Sequence, residues 1–90
     1  MAISLDEKEY IYHITKGEIH MVMEDYSDAI KEFTFALSLE DTPKEAYNFR
    51  GKCYRELAKL TSKQEEKQKY ETLAEVDKKR YEELNKTTTK

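Results

Sequence analysis

Asp25-Tyr26-Ser27-Asp28-Ala29-Ile30-Lys31-Glu32-Phe33-Thr34-Phe35-Ala36-Leu37-Ser38-Leu39 is the stretch that decides the fold class. Its residues Tyr26, Ala29, Ile30, Phe33, Ala36 and Leu37 advance by three, one, three, three and one. That spacing lays them along one face of a helix with 3.6 residues per turn. Asp25 and Asp28 stand at its start, where the helix dipole favours negative charge.

The reading extends outward in both directions. On the N-terminal side, Ser4 and Glu7 have capping-box spacing, and Tyr10, Ile11, Ile14, Met21 and Val22 continue as a helical stripe ending near Met23. On the C-terminal side, Leu39-Glu40-Asp41-Thr42-Pro43 breaks the pattern. Thr42 as N-cap, Pro43 as first helical residue and Glu45 as capping partner predict a third helix. That helix carries Tyr47, Gly51, Tyr54, Leu57 and Ala58 on one face. Ser62 and Glu65 repeat the capping spacing and predict a fourth, with the stripe Tyr70, Leu73, Ala74, Tyr81 and Leu84. Residues 63–69 are wholly polar and read as solvated helix or a frayed connection, and residues 87–90 as a loose tail.

Composition narrows the class. Ninety residues with two Gly and one Pro exclude a hairpin-rich all-β fold, a collagen-like chain and a flexible linker. Aromatic residues at 11% and hydrophobic residues at 38% lift the chain out of the disordered class. Sixteen basic residues against nineteen acidic leave a net charge of −3, so there is no global nucleic-acid footprint. No apolar run is long enough for a membrane span, and the first ten residues lack the basic and apolar regions of a signal peptide. The single Cys53 excludes an internal disulfide. A cytoplasmic, single-domain, all-α protein of about four helices is the expectation.

The two glycines, Gly17 and Gly51, are 34 residues apart, and His13/Tyr47, Lys16/Arg50 and His20/Tyr54 share that offset. A mid-helix glycine costs about 1 kcal/mol relative to alanine. Close approach of a neighbouring helix offsets that cost. The pattern resembles the tetratricopeptide repeat (TPR), a helix–turn–helix unit of about 34 residues with W-x2-L-G-x2-Y, then A-x3-F, then Pro. Gly17, Ala29 and Phe33 fill the first unit's Gly, Ala and Phe slots, and Tyr47, Gly51 and Tyr54 open the second. Asp25-Tyr26-Ser27-Asp28-Ala29-Ile30 is similar to the family's turn into its second helix, and Ala36-Leu37-Ser38-Leu39 to its exit. His13 and His20 replace bulky aromatics, Lys16 replaces the usual Leu, and the second unit's Ala and Phe slots fall on Lys63 and Lys67. The resemblance covers residues 10–60. It implies antiparallel hairpins in a right-handed solenoid fragment: one domain over residues 1–86, with a first repeat at 4–41 and a divergent second at 42–86 ending in a long capping helix.

The resemblance also implies function: a non-enzymatic scaffold that binds a helix or extended peptide on the concave face of the first and third helices. Carried over residue by residue, the contacts are Ile11, Ile14, Glu18, Asn48, Phe49, Lys52 and Arg55, with Lys52 and Arg55 reading acidic groups. The family's carboxylate clamp is disfavoured, because Ile14 and Glu18 stand where Lys and Asn are required, and Arg50 is one residue out of register. Two repeats are fewer than the three or so usually needed for stability. The alternative is therefore a homo-oligomer whose partner is its own copy.

Other chemistries are weaker. Glu9/His13 and His20/Glu24 are each four apart on a helix face, but His13 and His20 are two turns from one another, too far for one zinc ion without further ligands. Both read as core substitutes for aromatics, with a small metal-binding protein as the outside alternative and no resident metal or cofactor expected. Arg50, Lys52 and Arg55 could lower the pKa of Cys53, but a buried small hydrophobe is its expected role. No phosphate loop, nucleophile elbow or HExxH is present. Lys78-Lys79-Arg80 is flanked by Glu75, Asp77, Glu82 and Glu83, and reads as a solvated, ion-paired helix face rather than a nucleic-acid patch.

Overall fold

The computed structural model describes the backbone of residues 2–40 and 43–88, and the side chains of 9–40 and 43–86. The described residues form four α-helices and no strand: α1 (Ala2–Val22), α2 (Tyr26–Leu39), α3 (Lys44–Leu60) and α4 (Gln64–Thr88). Each helix packs on the next along the chain, and α1 barely meets α3. The result is a flat stack measuring 48 × 31 × 19 Å.

The α1–α2 corner is a Schellman turn. The Asp25 N–H donates to the His20 carbonyl at 2.8 Å, the Glu24 N–H donates to Met21 at 2.9 Å, and Glu24 sits at φ 66°. Asp25 then takes the N-cap position of α2, with its carboxylate making no capping hydrogen bond. α2 buries Ala29, Phe33 and Ala36, as its stripe requires.

Four helix ends differ from the sequence expectation. α1 begins at Ala2, which puts Ser4 inside the helix and not at its cap. Pro43, at φ −72° and ψ 103°, is the extended residue before α3, so the helix opens one position later at Lys44. The Thr42 expected as its cap lies outside the described residues. At α4, Thr61 replaces Ser62: its hydroxyl accepts from the Lys63 N–H at 3.3 Å and donates to Glu66 at 2.8 Å. The polar run after it is exposed helix from Gln64 onward. α4 continues through Thr87 and Thr88, where a loose tail was expected, and residues 89–90 lie outside the described set.

The core gathers Ala29, Phe33, Ala46 and Cys53, with Ile14, Met21, Tyr26, Ile30, Leu37 and Phe49 packed around them. Both glycines are at helix crossings. A Cβ on Gly17 would stand 2.6 Å from the Phe33 ring; one on Gly51 would stand 3.3 Å from the Asp77 Cβ and 3.5 Å from the Ala74 carbonyl. α3 is covered on two sides. Ala46, Phe49 and Cys53 face α2, while Tyr47, Gly51, Tyr54 and Ala58 lie about 100° or more away, toward α4. On α1 the core side is Tyr10, Ile14, Gly17 and Met21; Ile11 and Val22, read as part of that stripe, are 51% and 83% exposed.

Candidate functional site

The seven residues expected to bind a partner fall into three settings. Ile11 and Glu18 are exposed on α1. Ile14 and Phe49 are half-buried against the same core cluster, and the Phe49 ring centroid is 5.8 Å from that of Phe33. Expected as partner contacts, these two instead pack against the core and are only partly exposed. The Lys52 ammonium lies over the outer side of Phe49, 5.8 Å from its centroid. Asn48 and Arg55 line the seam between α3 and α4 together with Tyr47, Gly51, Ala74, Lys78 and Tyr81. Arg55 continues into a groove of about 350 Å³ bounded by Ala58, Lys59, Lys67, Glu71, Ala74 and Glu75.

The exposed apolar surface is wider than the sequence reading allowed. Tyr12 and Ile19 of α1, and Met23 in the turn just after it, are each more than half exposed, alongside Ile11 and Val22. At 100° per residue the four helical positions fall within one sector of about 100°, on the side away from Gly17. The signal in the sequence was that Tyr12 and Ile19 are apolar but out of phase with the Tyr10–Ile14–Gly17–Met21 stripe.

The sequence reading also missed a buried ion pair. Asp77, expected on a solvated face, is 1% exposed. Arg50 Nε donates to Asp77 Oδ2 at 2.9 Å and Nη2 donates to Oδ1 at 2.8 Å, a bidentate pair between α3 and α4. Nη1 reaches Thr34 Oγ1 of α2 at 3.2 Å, and the guanidinium lies near the faces of Tyr47 and Tyr54. Burial alone would push the Arg50 guanidinium down, but hydrogen bonding and charge from Asp77 outweigh it and hold it above its ordinary value. Arg80 covers the Tyr47 ring, 5.8 Å from its centroid, and reaches Glu83 at 3.4 Å, so part of the basic run is engaged within α4 and the α3–α4 seam.

His13 is committed to packing and pairing. Its Nδ1 is 2.7 Å from Glu32 Oε1, and its ring meets Phe35 edge-on at 4.5 Å. Lys16 approaches the other Glu32 oxygen at 3.4 Å. The hydrogen bond to His13, with Lys16 adding charge and a second hydrogen bond, keeps the Glu32 carboxyl below its usual range despite desolvation. His20 is different: its Nδ1 is buried and has no hydrogen-bond partner among the described residues. Cys53 is fully buried, and desolvation pushes its thiol up to about 12. It is a protonated filler, and its basic neighbours in sequence do not activate it.

Among the described residues no helix is long and apolar enough to cross a membrane. Comparison of the chain with protein-family models, with curated proteins and with solved structures finds no match.

Proposed function

We propose that this chain is a non-enzymatic protein-interaction module built from TPR-like hairpins, docking a helix or an extended segment of a partner protein along α1 and the adjoining face of α3. The observation that carries the reading is the apolar face of α1: Ile11, Ile19 and Val22 are 51%, 53% and 83% exposed. Leaving such surface in water is unfavourable by roughly 25 cal/mol per Å², and an exposed apolar face of this kind is typical of an interface. Lys52 and Arg55 sit three apart on α3 and supply charge at the rim for acidic groups. The 34-residue spacing of Gly17 and Gly51, each at a helix crossing, supports the TPR-like reading. A cytoplasmic setting suits its one sealed thiol.

A second copy of the chain could cover the same face, because α1 is the edge helix of the stack and packs chiefly on α2. Sedimentation of the wild type and of Val22→Glu distinguishes the cases. A wild-type dimer that Val22→Glu dissociates identifies self-assembly. A wild-type monomer that captures a defined partner, with capture lost in Val22→Glu and melting unchanged, identifies a scaffold. If Val22→Glu changes neither association nor capture, the face is not an interface.

A further inference from the structure

We propose that His20, Asp25 and Asp28 form a binding site for a divalent transition-metal ion, with zinc the ion that best suits their chemistry. One ligand atom from each of the three lies within 4.8 Å of the others. The His20 side chain is 25% exposed, and its Nδ1 is buried without a hydrogen-bond partner among the described residues. A buried ring nitrogen left without a partner is costly. Across from it, Asp25 holds the N-cap position of α2, where a carboxylate ordinarily accepts from the first turn's N–H groups, yet it makes no such bond. Its Oδ2 instead lies 3.9 Å from His20 Nδ1. That gap is too long for a hydrogen bond. It is near the ~3.4 Å that separates two ligands on one tetrahedral zinc at ~2.1 Å bond lengths. Asp28 is one turn further along α2 and adds the third ligand.

The backbone holds the set together. The Asp25 N–H donates to the His20 carbonyl at 2.8 Å, so two ligand residues belong to one hydrogen-bonded turn. Rotation about the Asp side chains is the main adjustment required. An imidazole nitrogen with two carboxylate oxygens suits zinc and its first-row neighbours; magnesium and calcium prefer oxygen alone. Three protein ligands leave a fourth position for water. His13 takes no part, because its Nδ1 is occupied by Glu32. The ion would clip the end of α1 to the start of α2, and this inference stands independently of the interaction face.

The test uses the full chain without a polyhistidine tag, melted at neutral pH with increasing zinc chloride. The melting temperature should rise by about 4–8 °C once free zinc exceeds its dissociation constant about fivefold. Equal magnesium or calcium should give no comparable rise. His20→Gln should abolish the rise and His13→Gln should keep it. Should His20→Gln fail to fold, the exposed Asp28→Asn carries the test and should weaken zinc binding. Cobalt(II) should give visible ligand-field bands in the wild type that Asp28→Asn diminishes. No rise with zinc, a rise unchanged in His20→Gln or Asp28→Asn, or a rise lost in His13→Gln overturns the site.

Discussion

The α1–α2 and α3–α4 hairpins place a glycine at the same point of a 34-residue period and fill the space beside it by different means. In the first, the Phe33 ring lies directly against the bare backbone of Gly17. The basic residue before that glycine, Lys16, reaches Glu32 of α2 at 3.4 Å near the surface, where Lys16 is 39% exposed. In the second, α4 offers no aromatic at the equivalent place. Asp77 and Ala74 stand against Gly51, and the basic residue before it, Arg50, turns inward to pair with Asp77. One sequence pattern, a cation followed by glycine, thus yields a partly exposed ion pair beside an apolar core in one hairpin and an ion pair on a fully buried carboxylate inside the interface in the other. The difference matters energetically. A partly exposed pair contributes on the order of 1 kcal/mol. A buried pair is costly to break, because removing one partner strands the other's charge.

The comparison is broken most severely at Phe33. Phe33→Ala should cost about 3–5 kcal/mol, since the ring is fully buried and its loss leaves a cavity over Gly17. Denaturant unfolding measures it, and a loss below about 1 kcal/mol would remove Phe33 from the core. The glycines sharpen the contrast. Gly17→Ala should destabilise by about 1–3 kcal/mol, because the new Cβ would stand 2.6 Å from the fully buried Phe33 ring, which must shift. Gly51→Ala meets Asp77 at 3.3 Å, and the ~1 kcal/mol helix-propensity gain offsets much of that crowding, so its effect should stay within about 1 kcal/mol. Equal losses at the two sites would contradict the distinction.

Much of this contrast was not legible in the sequence. α2 was, because its core residues keep one period without interruption, and so was the close approach at both glycines. Asp77 was not. It stands in phase with Tyr70, Ala74, Tyr81 and Leu84, at spacings of four, three, four and three, yet it borders the Lys78-Lys79-Arg80 run and carries a charge. Local context therefore favoured a solvated face, and the partner that makes its burial tolerable lies 27 residues earlier. The α1 face was legible only in part. Ile11, expected as a partner contact, is exposed together with Val22, whereas Tyr12, Ile19 and Met23 were not singled out because they are apolar but out of phase with the Tyr10–Ile14–Gly17–Met21 stripe. Of the expected contact residues, Ile11, Glu18, Lys52 and Arg55 are exposed, whereas Ile14 and Phe49 close the core.

Two smaller effects probe the first hairpin further. The Glu32 carboxyl is held below its unfolded value, so its contribution is present above the ordinary glutamate range and is lost as pH falls through its lowered folded value. Glu32→Gln should flatten the acid limb of the stability curve by no more than about 1 kcal/mol, read by urea unfolding between neutral and acid pH. An unchanged acid limb would dissociate Glu32 from that loss. At the corner, Glu24 occupies the left-handed region at φ 66°, where glycine carries no Cβ penalty. Glu24→Gly should raise stability by up to about 1 kcal/mol, seen as a higher melting temperature, and a fall would mean that the Glu24 side chain has a role the turn geometry does not show.

The most direct test of the contrast is a double-mutant cycle on Arg50→Leu and Asp77→Leu, set beside the same cycle on Lys16 and Glu32. The bidentate geometry and the burial of Asp77 predict a coupling of about 1.5–3 kcal/mol for Arg50–Asp77. They predict no more than about 1 kcal/mol for the partly exposed Lys16–Glu32 pair. Couplings of equal size, or an Arg50–Asp77 coupling below about 0.5 kcal/mol, would contradict the claim that a buried ion pair does in the second hairpin what Phe33 does in the first.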